Sequence, residues 1–83
     1  MNEVTLYTKS DCHLCQAVGQ VIARAARQRA FGLAVRDITQ DAADFEKYAT
    51  EIPVVLVNGR EIARFRLDLA DLIKALDEAG SEN

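Results

Sequence analysis

Val4-Thr5-Leu6-Tyr7-Thr8-Lys9-Ser10-Asp11-Cys12-His13-Leu14-Cys15 is the stretch from which the fold can be read. Val4 to Thr8 is rich in β-branched and aromatic residues and runs into the polar Lys9-Ser10-Asp11, the pattern of a short strand that ends in a loop. From Cys12 to Ala30 the apolar residues Leu14, Cys15, Val18, Val21, Ile22, Ala25 and Ala26 recur at three- and four-residue spacing, one buried stripe of a helix. Asp11 or Ser10 is expected to cap its first turn by accepting from the free backbone N–H groups. Arg24, Arg27 and Arg29 fall at the other end, where the helix dipole favours cations, and Gly32 is the expected stop. A strand at the sheet centre thus hands over to a helix start, and two cysteines sit at the junction.

Working outward, Leu33 to Ile38 has strand composition and follows the first strand at the distance of a βαβ unit with its right-handed crossover. A shorter helix is expected next, capped by Asp41 or Thr39, with Phe45, Tyr48 and Ala49 on one face. Pro53–Val57 and Arg60–Phe65 flank Asn58-Gly59, the dipeptide suited to a type I′ hairpin turn because both central residues need positive φ. Arg60, Arg64 and Arg66 alternate along one face of the second strand, as on an edge protected against foreign pairing, with a docking surface for an acidic partner as the other reading. Asp68 and Asp71 open a last helix whose stripe is Leu69, Leu72, Ile73 and Leu76; Gly80 is expected to end it and Ser81-Glu82-Asn83 to fray. The order βαβ-α-ββ-α specifies an α/β fold, a four-stranded mixed sheet with helices on its faces.

The composition narrows the function. The chain has 83 residues, 49% hydrophobic and 28% charged, with four Gly and one Pro, which fits one globular domain spanning residues 1–83. The longest apolar run, Ile52 to Val57, is far short of the roughly 20 residues of a membrane helix. Met1-Asn2-Glu3 lacks a basic targeting segment, so the expected compartment is the cytoplasm. A net charge of −3 argues against nucleic acid as a partner. A monomer is expected.

Cys12 and Cys15 are the only two cysteines, too few for a disulfide framework. A bond between them closes a four-residue ring, which the chain-entropy model values at only about 2 kcal/mol, so chemistry explains the pair better than stability. At a helix start the free N–H groups stabilise a thiolate, and Lys9 and His13 can add positive charge. Cys12 is expected to be exposed and acidic, with a pKa of about 3.5 to 7.5 against about 8.5 for a free thiol. Cys15, one turn further in, is expected to be buried and less acidic. Cys12 then attacks a disulfide and Cys15 resolves the mixed disulfide. A closed metal site needs four ligands, which only a dimer sharing four thiols, for example around an iron–sulfur cluster, would provide.

The run from Tyr7 to Cys15 resembles the glutaredoxin pattern of strand, lysine, two residues and C-x-x-C. Ile52-Pro53-Val54 is similar to that family's cis-proline segment. Through its element order the resemblance covers essentially the whole chain and is nearest to a short bacterial branch of glutaredoxin-like proteins. It implies a thioredoxin-like fold with three helices, and a cis Pro53 that sets the backbone of Ile52 beside Cys12 to pair with an extended substrate. It further implies that Lys9 contacts one glutathione carboxylate and that the backbone near Asp68 receives the other. Glutathione would be a co-substrate, with no resident cofactor. Two positions depart from the family: His13-Leu14 replace a proline and an aromatic, and Phe65-Arg66 stand in place of a Gly-Gly pair. Arg66 either pairs with a carboxylate or, with Phe65, closes the groove.

The expected function is a thiol–disulfide oxidoreductase that reduces protein disulfides or glutathione mixed disulfides. The alternative is a non-catalytic binding module that holds a cluster in a dimer or docks a partner.

Overall fold

The computed structural model describes residues 1–81. Strand β1 (Asn2–Thr8) leads to helix α1 (His13–Ala26), strand β2 (Phe31–Asp37), a 3-10 turn (Ile38–Gln40) and helix α2 (Ala42–Tyr48). The hairpin strands β3 (Val54–Val57) and β4 (Arg60–Arg64) and helix α3 (Leu69–Ser81) follow. The sheet has the order β2-β1-β3-β4, with β1 parallel to β2 and antiparallel to β3, the expected mixed sheet with β1 in its interior.

Alternation along the strands divides the apolar residues between two cores. Val4 and Leu6 lie opposite Val57 and Val55 on one face, where Val18, Ile22 and Ala25 of α1 pack with Leu72 and Leu76 of α3. Tyr7 lies opposite Val54 on the other face, in a second cluster with Ile38, Tyr48, Ile52 and Cys15. The Tyr7 and Tyr48 rings meet there with centroids 4.5 Å apart. The hairpin turn has φ of 52° at Asn58 and 84° at Gly59, as its dipeptide requires. Asn58 also ties the turn to the start of β1: its N–H donates to the Glu3 carbonyl and its Oδ1 accepts from the Glu3 N–H, both at 2.8 Å.

Several local expectations are corrected. α1 stops at Ala26 in a turn where the Arg29 N–H donates to the Ala25 carbonyl, and Gly32 is not a stop but a member of β2 opposite Glu3. Asp11 does not cap α1, because its backbone is left-handed with φ 63°; Cys12 does. Of the two candidates for α2, Asp41 is the cap, accepting from the N–H groups of Ala43 and Asp44. Phe45 is 48% exposed and leaves Tyr48 as the buried residue of that helix. α3 continues through Gly80, and of the residues expected to fray, Glu82 and Asn83 lie outside the described residues.

The arginine row of β4 does not share one face. Val55 pairs with Ala63 and Leu56 with Glu61, so Ile62 is an extra residue, a bulge that shifts the alternation. Arg60 therefore falls on the face of Val57, and Arg64 on that of Val54. Arg64 is engaged there by Glu61 at 2.6 Å and by Glu51. Arg66 lies beyond the strand.

Candidate functional site

The site forms where β1 ends. Lys9-Ser10-Asp11 turn the chain, Asp11 adopting the left-handed conformation that Asp tolerates better than most residues, and Cys12 resumes an extended backbone with φ −109° and ψ 106°. That is the conformation of an N-cap, and Cys12 fills the role with sulfur: Sγ accepts from the Cys15 N–H at 3.1 Å. Cys12 and Cys15 are joined in a disulfide, with Cα atoms 5.2 Å apart. Cys12 is half-buried and Cys15 is 5% exposed, backed by Ile38, Tyr48, Ile52 and Val54. Cys12 is thus the more accessible of the two, half-buried where an exposed residue was expected, and Cys15 is shielded.

Of the other expected site residues, Ile52 and Pro53 are both buried, and Ile52 belongs with Cys15 and Cys12 to the same cluster. The Ile52–Pro53 peptide bond is cis. Lys9 is exposed in the loop ahead of Cys12, and no ion pair among the described residues engages it. His13 is exposed at the first position of α1. Asp68 is exposed at the start of α3, where its carbonyl accepts from the Leu72 N–H at 3.1 Å. The structure brings Cys12, Cys15 and Ile52 into one cluster; Asp68 lies instead on a neighbouring groove of about 230 Å³ between α1 and the loop before α3.

Two members of that groove are exposed apolar side chains, Phe65 at a position expected to bear on a groove and Leu14 outside the expected site. Leu14, part of the apolar stripe of α1, is 53% exposed, and Phe65 is 44% exposed. Phe65 lies just past the end of β4 rather than within it, and its φ is 68°. Its N–H donates to the Pro53 carbonyl at 2.8 Å, and the Arg66 N–H donates to the Arg64 carbonyl at 2.7 Å across it, a γ-turn of the rare positive-φ kind. A bulky residue held there stores about 1–3 kcal/mol of backbone strain, a cost that persists only where the surroundings over-determine it. The sequence signal for Leu14 is its place between the cysteines, in the first turn of a helix, where no preceding turn covers a side chain.

Chemically, the arrangement can take up and release two electrons as the dithiol and the disulfide interconvert. Among the described residues no group of three His, Cys, Asp or Glu side chains could hold a metal ion. Nor is any described helix long and apolar enough to cross a membrane.

Comparison with known proteins agrees with this geometry. The model of a family described as "Glutaredoxin-like domain (DUF836)" matches residues 3–77. The X-ray structure of target protein XcR50 from X. campestris is 36% identical, superposes with a TM-score of 0.71, and the match covers 90% of this chain and 96% of that one. Two thioredoxins share the fold at lower identity. One, a mutant thioredoxin from Halobacterium salinarum, has 17% identity, a TM-score of 0.70 and coverage of 93% and 73%. The other, thioredoxin 1 from Thermosipho africanus, has 19% identity, a TM-score of 0.67 and coverage of 95% and 94%. No curated protein matches the chain. With the C-x-x-C at the mouth of α1, a mixed sheet of thioredoxin type and a family match running from Glu3 to Asp77, the chain belongs to the glutaredoxin-like domain family.

Proposed function

We propose that the protein is a thiol–disulfide oxidoreductase that reduces disulfides on other proteins, or mixed disulfides of proteins with glutathione, in the cytoplasm. The observation that carries this reading is the asymmetry of the pair: Cys12 caps a helix and is half-buried, whereas Cys15 beside it is 5% exposed. In the reduced chain the Cys12 thiolate attacks one sulfur of a substrate disulfide, a new S–S bond forms to that sulfur, and the other leaves as a thiolate. The Cys15 thiolate then attacks Cys12 Sγ and releases the second substrate thiolate. Two electrons pass to the substrate, and the two protons given up by Cys12 and Cys15 end on the two released thiols. The remaining Cys12–Cys15 disulfide is reduced again by a dithiol protein or by two equivalents of a small thiol.

The test is a Cys15→Ser variant, reduced and mixed with an excess of a peptide disulfide. One peptide should be found attached to Cys12 by mass spectrometry, formed well above the rate of free cysteine. An unmodified protein, or a reaction no faster than that of free cysteine, would remove the reading. The reading of a cluster held between two chains is separated by the colour and oligomeric state of protein purified without oxygen, where a colourless monomer is expected.

A further inference from the structure

We propose that Phe65 sets the substrate class of the dithiol. It selects an extended polypeptide disulfide that carries a bulky apolar side chain beside the reacting cysteine and a carboxylate further along, in preference to the small anionic disulfide of glutathione. The inference rests on the oxidoreductase reading above.

Leu14 and Phe65 are large apolar side chains left exposed on two sides of one groove, at 53% and 44%. Leu14 stands between the two cysteines in the chain, and the Phe65 N–H is bonded to the carbonyl of Pro53, the neighbour of Ile52 in the cysteine cluster, so the groove borders the cysteine site without being lined by either sulfur. Its wall is continued by Ala17, Val21 and Leu67, and its volume of about 230 Å³ has room for one large side chain. Phe65 is held at φ 68°, where a glycine would be relaxed and an aromatic residue is not. The chain thus tolerates strain to present a ring at this place, and strain of that kind gathers at sites that bind or react.

The polar groups of the groove point the same way. The N–H groups of Phe65 and Arg66 are spent on the carbonyls of Pro53 and Arg64, so neither is offered to a ligand carboxylate. Arg64 is engaged by Glu51 and Glu61, whereas no ion pair among the described residues engages Arg66. Asp68 lines the same groove as Arg66, at the end of α3 where the helix dipole favours an anion. The groove therefore offers one cation, Arg66, and one exposed anion, Asp68. Each half of oxidised glutathione brings two carboxylates and one ammonium but no bulky apolar side chain to lie between Leu14 and Phe65. An internal polypeptide segment brings no terminal carboxylate, and a single acidic side chain matches Arg66.

The experiment uses the reduced full chain and three disulfides: a peptide with Leu next to its cysteine and Glu further along, the same peptide with Gly for Leu, and oxidised glutathione. The Leu peptide should react about tenfold faster than each of the other two, the factor that corresponds to about 1.4 kcal/mol. In Phe65→Gly, whose backbone is relaxed at this φ, the Leu-to-Gly ratio should fall to about one, and in Leu14→Ala it should fall as well. Replacing the Glu of the peptide by Gln should slow the wild type but not Arg66→Gln. The proposal is overturned if the wild type does not distinguish the two peptides, if the ratio survives Phe65→Gly, or if glutathione reacts fastest. A wild type that reacts with none of the three faster than free cysteine would instead sink the oxidoreductase reading, and this inference with it.

Discussion

Cys12 occupies a position that proteins usually give to a hydroxyl or a carboxylate. In the disulfide Cys12 Sγ takes the Cys15 N–H at 3.1 Å; once reduced, a thiolate at the same cap would accept a charge-assisted hydrogen bond, where a neutral thiol accepts only weakly. We expect Cys12 of the reduced chain to titrate below about 7.5, read from thiolate absorbance in a Cys15→Ser variant. A midpoint near 8.5 would show that the cap does not bias the proton. Position along the chain made this contact foreseeable in kind, since a helix start after a strand was legible from Val4 to Cys15. Which residue caps was not legible. The choice depends on Asp11 taking φ 63°, a backbone decision with no periodicity behind it.

At the scale of elements, α2 depends most on its ends. Seven residues are too few for a helix to persist by propensity, so its first turn leans on Asp41, whose Oδ1 accepts from Ala43 at 2.9 Å and from Asp44 at 3.1 Å. Asp41→Ala should cost about 1 kcal/mol in urea unfolding, with Asp41→Asn losing much less. An unchanged midpoint in Asp41→Ala would mean that packing of Tyr48 alone holds the helix. The Asn58-Gly59 hairpin, the βαβ unit and the α3 stripe were legible because each is written in a local pattern of a few residues. The bulge at Ile62 was not, because nothing in the run Arg60-Glu61-Ile62-Ala63-Arg64 marks an extra residue, and only pairing with β3 reveals it. The groove beside Leu14 and Phe65 was not legible, because it exists only once α1 and the loop before α3 stand side by side.

For the molecule as a whole, charge pairing decides the response to acid. The Asp77 carboxyl is held below its ordinary range by the hydrogen bond and charge of Arg29, which links the end of α1 to α3. Glu61 is lowered by its hydrogen bond with Arg64, and Asp37 by its bonds with Thr39. In each case the folded pKa lies below the unfolded one, so the unfolded chain takes up the proton first. Their contribution is complete above the unfolded carboxylate range of about 4 and is lost as pH falls through the folded values. The Tm should therefore hold between pH 7 and 5 and decline below about 4. Asp77 and Glu61 face charged arginines at the surface, so added salt should flatten their part of the decline. A Tm independent of pH down to 3 would contradict this.

The two rims of the sheet differ in colloidal character. On β4 the bulge twists the edge and Arg64 crosses it with charge. β2 presents an open row of backbone groups flanked by Leu33 and Val35, 51% and 58% exposed, with its charges gathered at one end in Arg36 and Asp37. Such an edge is the expected place for chains to associate in a crowded solution, and it carries neither cysteine, so clumping and the chemistry of the cysteine pair should answer to different substitutions.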